Sequence, residues 1–137
     1  MLLVLVEDGL LHSYAAVVRF QLQHAGQQYS AYGLTSVFTY PTSREKGYGQ
    51  QVVHAATNFI RRSGVDIGFL LTRPALEQFY AKSGWEAIMS APLIGVSGEA
   101  QEAFSAFRMM FFLSEKGQAE RSTFETQPLF VYREWSL

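Results

Sequence analysis

Apolar positions along this chain change their spacing several times, and the changes divide it into strands and helices. Leu2 to Val6 is a short apolar run that predicts a buried strand, closed by a turn at Glu7-Asp8-Gly9. Leu11 to Gln23 is rich in β-branched and aromatic residues. Its alternation is clearest where Val18, Phe20 and Leu22 interleave with Arg19, Gln21 and Gln23. Ala25-Gly26-Gln27 predicts a second turn, and Tyr29 to Thr39 a third strand, so the first part of the chain is expected to form an antiparallel meander. The period then becomes helical: Val52, Val53, Ala56, Phe59 and Ile60 recur on one face, with Gln51, Asn58, Arg61 and Arg62 between them. Arg61 and Arg62 suit the last turn of this helix and Gly64 its C-terminal cap.

Val65 to Leu71 is apolar apart from Asp66, as a central strand buried on both faces would be. Pro74 fits the first position of a second helix, with Leu76, Phe79 and Tyr80 on one face and Gly84 at its end. Trp85 to Met89 predicts a further strand, Ala91 to Glu102 a loop or marginal helix, and Phe107 to Leu113 a strong strand. Ser114 to Gln127 is expected as a polar connection and Leu129 to Trp135 as a closing strand. No repeat or low-complexity tract interrupts this order. The expected fold class is α/β with a mixed sheet: a meander, then helix, strand, helix and strands.

Length and composition narrow the functions open to such a fold. At 137 residues the chain is expected to be one domain spanning residues 1–137. Apolar residues make up 48% of it and aromatics 15%, enough to expect a homo-oligomer that covers the excess. With a net charge of −1 and no Lys/Arg block, no nucleic-acid partner is expected. Cysteine is absent, which excludes disulfides, thiolate catalysis and Cys-type zinc sites. The apolar start lacks a basic flank and ends at Glu7 and Asp8, and no run reaches the roughly 20 residues of a membrane helix. A soluble, cytoplasmic protein without membrane or metal partners is expected.

The candidate chemistry sits between Val37 and Gly49, in Val-Phe-Thr-Tyr-Pro-Thr-Ser-Arg-Glu-Lys-Gly-Tyr-Gly. A β-like run ends at a proline, passes through a polar turn and meets two glycines opening a helix. The first amides of a helix have no intrahelical partner, and its dipole adds about half a positive charge there. Glycines let an anion approach those amides without meeting a Cβ. Alone, the pattern is also that of an ordinary loop entering a helix, or of a phosphate- or nucleotide-binding module.

These residues resemble the GNAT family of acyl-CoA N-acyltransferases over roughly Leu10 to Ile88. The family's acyl-CoA loop, Arg/Gln-x-x-Gly-x-Gly/Ala, stands here as Arg44-Glu45-Lys46-Gly47-Tyr48-Gly49, with Pro41 three residues before the arginine. A second block, Tyr-x-x-x-Gly-aromatic, stands as Tyr80-Ala81-Lys82-Ser83-Gly84-Trp85. The stretch His12 to Arg19, with Ala-Ala-Val-Val, is also faintly similar to aminoglycoside 2′-N-acetyltransferases.

The resemblance implies acetyl-CoA as co-substrate and an amine-bearing small molecule or peptide as acceptor. It implies that the amides of Arg44, Glu45, Lys46, Gly47, Tyr48, Gly49 and Gln50 wrap the pyrophosphate. Val37, Phe38 and Thr39 would present strand-edge groups to the pantetheine arm, an amide of Phe38 or Thr39 would polarise the thioester carbonyl, and Tyr80 would protonate the departing thiolate.

Three departures from the family pattern carry expectations of their own. The position of a frequent family glutamate is Thr35, and no carboxylate occurs from Tyr29 to Ser43, so the base is left to a water chain or an unidentified group. Arg73 stands where an asparagine often contacts pantetheine. The chain opens at what resembles the family's second strand, without the usual first strand and two helices, so the acceptor wall would come from a partner subunit or from the C-terminal third, or else the acceptor site is incomplete. His12 is a candidate base at strand level; His54 is expected to be structural or exposed and His24 at the surface. Asp66 reads as a strand-end carboxylate, Glu7, Asp8 and Glu134 as negative charge for a cationic amine, and Met109 to Phe112 as core or dimer interface. A catalytically weak CoA-binding protein with a regulatory or assembly role is the alternative function.

Overall fold

The computed structural model describes residues 1–103 and 106–132. A meander opens the chain: β1 (Leu2–Glu7), β2 (Leu10–His24) and β3 (Gln27–Thr39) pair antiparallel in sequence. The turns between them carry Gly9 and Gly26, both at φ +76°. Helix α1 (Tyr48–Arg62) follows, then β4 (Ile67–Thr72), a 3-10 turn at Pro74–Leu76 that runs into α2 (Glu77–Ala81), and β5 (Glu86–Ala87). Next come β6 (Leu93–Ser97), β7 (Ala100–Ala103), β8 (Phe107–Phe112), α3 (Glu115–Ala119), α4 (Arg121–Thr126) and β9 (Leu129–Tyr132).

The strands form a six-stranded mixed sheet in the order β1-β2-β3-β4-β8-β5 and a smaller sheet in the order β7-β6-β9. A separate core lies on each face of the main sheet. Val52, Val53, Ala56 and Ile60 of α1 pack on Ala15, Val17, Leu34, Leu70, Trp85 and Met109 on one side. Leu22, Tyr29, Ile67, Phe69 and Met110 meet Leu93, Phe124 and Leu129 on the other. Each fully buried aliphatic side chain here contributes about 1.5–3 kcal/mol. On β2 the odd positions Ser13, Ala15 and Val17 are buried under α1, while Leu22 and His24 at even positions enter the second core. Edge strand β1 keeps Leu2, Val4 and Val6 exposed on a single face.

β1, expected to be buried, is instead an edge strand exposed on one face. Three further expectations need correction. Ala91 to Glu102 is neither loop nor helix: it holds the β6–β7 hairpin, in which Ser97 pairs with Ala100 and Gly98 sits at φ +61°. Gly98 makes the turn, while Gly95 lies within β6. Ser114 to Gln127 contains two short helices. Ser114 Oγ accepts the Gly117 amide at 2.9 Å as a cap for α3, and Gly117 is small because α3 presses on β4. A Cβ built there would lie 2.5 Å from the Asp66 carbonyl oxygen. His24 is buried rather than at the surface. Its Nε2 lies 2.9 Å from the Thr123 carbonyl and its ring stacks on Phe124 at 4.2 Å. The closing strand is described as Leu129–Tyr132; Trp135, and with it Glu134, lies outside the described residues.

Candidate functional site

β3 and β4 run parallel but pair over three residues only, Ala31 with Ile67, Tyr32 with Gly68 and Gly33 with Phe69. Beyond that point β3 continues to Thr39 and β4 to Thr72 without further pairing between them. A bulge separates the strands. The β2–β3 register shifts between Tyr14 and Ala16, and Ser36 adopts φ +52°, a left-handed conformation that a serine holds only under tertiary constraint. This leaves a cleft of unpaired backbone between the C-terminal ends of two parallel strands, where an extended chain can be added. β4 stays paired on its other edge, ending with Thr72 opposite Phe107 of β8.

At the mouth of this cleft the chain turns into α1 through Arg44 to Gly47. Glu45 (φ +66°) and Gly47 (φ +81°) both adopt left-handed conformations. Gly47 is the N-cap, no side chain caps the helix, and no acidic residue stands in its first turn. The first intrahelical bond is Gln51 N–H to Gly47 O at 3.1 Å. The amides of Glu45 to Gln50 therefore have no acceptor among the described residues. Arg44 to Gly47 are exposed, so these donors stand open to solvent at a helix start, where an anion is favoured.

Each of the two glycines also meets a local constraint. Gly47 supplies a left-handed cap with nothing within 4 Å of a would-be Cβ. At Gly49 a Cβ would meet Thr39 Oγ1 at 2.9 Å and the Phe79 ring at 3.5 Å, so its smallness seats the helix against β3 and α2.

Several side chains of the loop turn back onto the protein. Arg44 Nε donates to the Thr39 carbonyl at 3.0 Å and its guanidinium lies over the Phe38 ring at 5.7 Å. Tyr48 donates to Glu7 Oε2 at 2.6 Å and stacks on His12 at 4.3 Å. Gln50 Nε2 donates to Ser83 Oγ at 3.2 Å, tying the start of α1 to the end of α2. Lys46 is exposed. Along β3, the Phe38 carbonyl accepts from Ser13 Oγ at 2.9 Å, and Thr39 Oγ1 lies 3.0 Å from the same hydroxyl. Val37 packs against the core under α1. The loop thus offers backbone amides, with its side chains largely committed to holding the turn.

Tyr80, on α2, is buried at 7% exposure among the α1-side core residues. Burial pushes its phenol above the ordinary 10, and a hydrogen bond with Thr72 partly offsets that. Since Thr72 ends β4, this bond puts the Tyr80 hydroxyl beside the end of the cleft, in its neutral, proton-donating form at physiological pH.

The remaining candidates sort by position. His12 flanks the loop, its Nδ1 2.6 Å from Ser43 Oγ and its Nε2 3.2 Å from the Glu7 carbonyl, so both ring nitrogens are engaged. His54 is exposed on α1. Asp66 stands at the opposite end of β4 from the cleft. Burial would raise its pKa, but hydrogen bonds from Ser114 Oγ (2.6 Å) and from the Ser30 amide (2.9 Å) and hydroxyl (3.2 Å), with Lys116 nearby, hold it below the usual carboxylate range. Asp8 sits in the β1–β2 turn at φ +54°. Met109 and Met110 are fully buried core. The sequence reading missed Thr72, Ser43, Ser83 and Ser36, ordinary polar residues with no local signal. It also passed over Arg108, whose signal was present: a lone charge inside the apolar run from Phe107 to Leu113.

Comparison with known proteins agrees with this fold. The family described as "Acetyltransferase (GNAT) domain" matches residues 1–88. Among solved structures, the chain is similar to the GNAT family N-acetyltransferase YhbS from Escherichia coli in complex with CoA. It does so at TM-score 0.65 and 20% identity, over 94% of this chain and 65% of that one. It is also similar to yncA, a putative acetyltransferase from Salmonella typhimurium with its cofactor acetyl-CoA (TM-score 0.60, 20% identity, 83% of this chain and 65% of that one). A ribosomal-protein-alanine N-acetyltransferase from Brucella melitensis gives TM-score 0.61 at 18% identity, over 82% of this chain and 68% of that one. The chain spans only 23% of a GCN5-related N-acetyltransferase from Kribbella flavida, which it matches over 66% of its own length at TM-score 0.56 and 22% identity. At these identities the likeness is one of fold. No curated protein matches the sequence.

Proposed function

This chain belongs to the GNAT acetyltransferase family, and from that premise we propose that it transfers an acetyl group from acetyl-CoA to a primary amine by direct attack in a ternary complex. The observation that carries the reading is the cleft opened by the bulge at Ser36 beside the uncapped start of α1. In it the pyrophosphate of CoA meets the amides of Glu45 to Gln50, with Arg44 bracing the loop. The pantetheine arm lies along Val37, Phe38 and Thr39 as an added strand. An amide of Phe38 or Thr39 faces the thioester oxygen.

The amine nitrogen attacks the thioester carbonyl, the oxyanion that forms is stabilised by the backbone donor, and the C–S bond breaks as the intermediate collapses. Tyr80 gives its proton to the departing thiolate, and the proton that the attacking nitrogen sheds on becoming an amide restores the phenol. An alkylammonium acceptor, with a pKa of about 10.4, must lose a proton before attack. With threonine at position 35, a water chain carries that proton to solvent.

The threonine also favours a second reading, in which the protein binds CoA but serves regulation or assembly. Isothermal titration with acetyl-CoA and with ATP tests the shared premise: binding of ATP without CoA removes it. Thiol release over a panel of amines separates the two readings, because CoA binding with no amine-dependent turnover leaves only the second. Homo-oligomerisation belongs to the same proposal, since Leu2, Val4, Val6 and Leu10 leave an exposed apolar stripe at the sheet edge. A monomeric mass in sedimentation equilibrium would refute that part.

A further inference from the structure

On the face of β8 opposite α1, Arg108 is fully buried. Its Nε donates to the Ile88 carbonyl at 2.7 Å, and its Nη2 donates to the carbonyls of Ala91 (3.2 Å) and Phe124 (3.4 Å). Nη1 has no partner among the described residues. The only ion pairs among those residues are those of Arg121 with Glu86 and Glu125, so no carboxylate among the described residues answers the Arg108 charge. Burial draws its pKa down to about 10, which still leaves a full cation at neutral pH.

A buried guanidinium ordinarily has an anionic partner, because neutral carbonyls compensate poorly for lost hydration. Here the residue lines a cavity of about 400 Å3, otherwise walled by apolar groups including Pro74, Ile88, Leu93, Ala106 and Phe107. Phe107 is the register partner of Thr72, the residue bonded to Tyr80. The cavity therefore begins one strand away from the end of the cleft. Met89 closes its rim, half-exposed, with its Sδ accepting the Arg108 amide at 3.2 Å. A thioether side chain is flexible enough to move aside for a ligand.

We propose that this cavity takes a small ligand with an apolar body and a carboxylate, the carboxylate pairing with Arg108. Within the acyl-transfer reading, on which this assignment of role rests, the ligand is the acceptor: an amine that also bears a carboxylate, such as an amino acid with an apolar side chain. The same chemistry could arrive on the acyl donor as the free carboxylate of a dicarboxylic thioester, and the kinetic arm below distinguishes the two. Binding itself is tested without turnover.

Titration of the protein with 3-phenylpropanoate and with 3-phenylpropanamide should show saturable binding of the carboxylate, at least tenfold tighter than the isosteric amide. Arg108→Met keeps a long apolar side chain and should abolish that preference. Ala106→Phe, which fills the cavity without touching the charge, should weaken both probes. Absence of saturable carboxylate binding, equal binding of acid and amide, or binding unchanged in a folded Arg108→Met would each overturn the proposal. Should Arg108→Met fail to fold, the acid–amide contrast and Ala106→Phe still decide it.

With acetyl-CoA, phenylalanine should be acetylated with kcat/KM at least tenfold above phenylalaninamide. A preference for succinyl-CoA over acetyl-CoA, with no such contrast between the amines, assigns the carboxylate to the donor and overturns the acceptor role. Carboxylate binding without any acetyl-CoA binding would sink the acyl-transfer reading while leaving the cavity standing.

Discussion

Replacing Tyr80 with phenylalanine separates a proton donor from a core aromatic, because the change removes one oxygen and leaves the ring. The ring packs among Leu76, Phe79 and the α1-side core, and its edge-on contact with Phe79 at 5.0 Å survives. What goes is the bond with Thr72, a half-buried side chain that can turn to water. One such hydrogen bond contributes about 1 kcal/mol. For a chain of this length that loss lowers Tm by roughly 3–6 °C. The kinetic effect should be larger. Loss of a general acid reduces turnover at least tenfold, which corresponds to about 1.4 kcal/mol of transition-state stabilisation. CoA is held by loop amides Tyr80 does not touch, so its dissociation constant should hold within about twofold. The pH profile adds a sign check. Burial pushes the phenol up from its ordinary 10, so the neutral acid persists from pH 7 to about 9 and the wild-type rate should not fall there through this group. Stopped-flow thiol release and calorimetry with acetyl-CoA measure both quantities. Unchanged turnover in Tyr80→Phe would show that another group protonates the thiolate, and equal losses in affinity and rate would show a merely structural tyrosine.

Gly47→Ala puts a Cβ on a left-handed residue without any clash, so its cost is conformational, about 1–2 kcal/mol. It should weaken acetyl-CoA binding several-fold by calorimetry, with Gly47→Asn closer to wild type because asparagine tolerates that conformation; equal effects would refute the argument. Gly117→Ala drives a Cβ to within 2.5 Å of the Asp66 carbonyl, and the resulting strain, about 3 kcal/mol, exceeds the ~1 kcal/mol gain in helix propensity. Denaturant unfolding should show a clear loss, and a neutral result would mean that α3 does not press on β4. His24 is held neutral below its ordinary 6.5, chiefly by burial and further by the Arg108 charge, against the opposing bond to Thr123. The unfolded chain then binds more protons once pH falls through 6.5, so stability should drop from there until the folded pKa is reached. Tm measured from about pH 7 to pH 5 should fall more steeply in wild type than in His24→Gln, and parallel curves would exclude His24 as the cause.

Much of the fold was legible because its long elements obey one period each. The helical spacing from Val52 to Ile60 locates α1, and the alternation of Val18, Phe20 and Leu22 locates β2. That alternation marks only the second core, however. The opposite face of β2 is buried through Ser13, Ala15 and Val17, residues too small or polar to register as a stripe. The uncapped helix start at the end of the loop from Arg44 to Gly49 was legible from backbone logic alone. The loop's side chains were not, since nothing local says that Arg44 folds back on Thr39 or that Tyr48 reaches Glu7, 41 positions earlier. The bulge at Ser36 had no signal at all. A serine at positive φ is imposed by its neighbours, and the cleft depends on it. Short elements failed for the reason short elements usually do: β6, β7, α3 and α4 draw their stability from the second core rather than from their own propensity.

β4 connects the two halves of the functional reading. Its free edge past Phe69 faces the cleft, and its last residue bonds Tyr80 on the α1 side. Its paired edge runs along β8, whose Phe107 and Arg108 line the cavity. A thioester lying along β3 and an acceptor anchored at Arg108 would then approach the same strand end from opposite faces of the sheet. The bodies of the two substrates would not compete for space, while the amine and the thioester would still meet at that strand end, as direct attack requires. The arrangement also explains why one arginine can stay buried on the second face without weakening the first. Its three carbonyl bonds lie within the second core and the loops around it, so occupancy of the cavity can change there while the uncapped amides of α1 remain as they are.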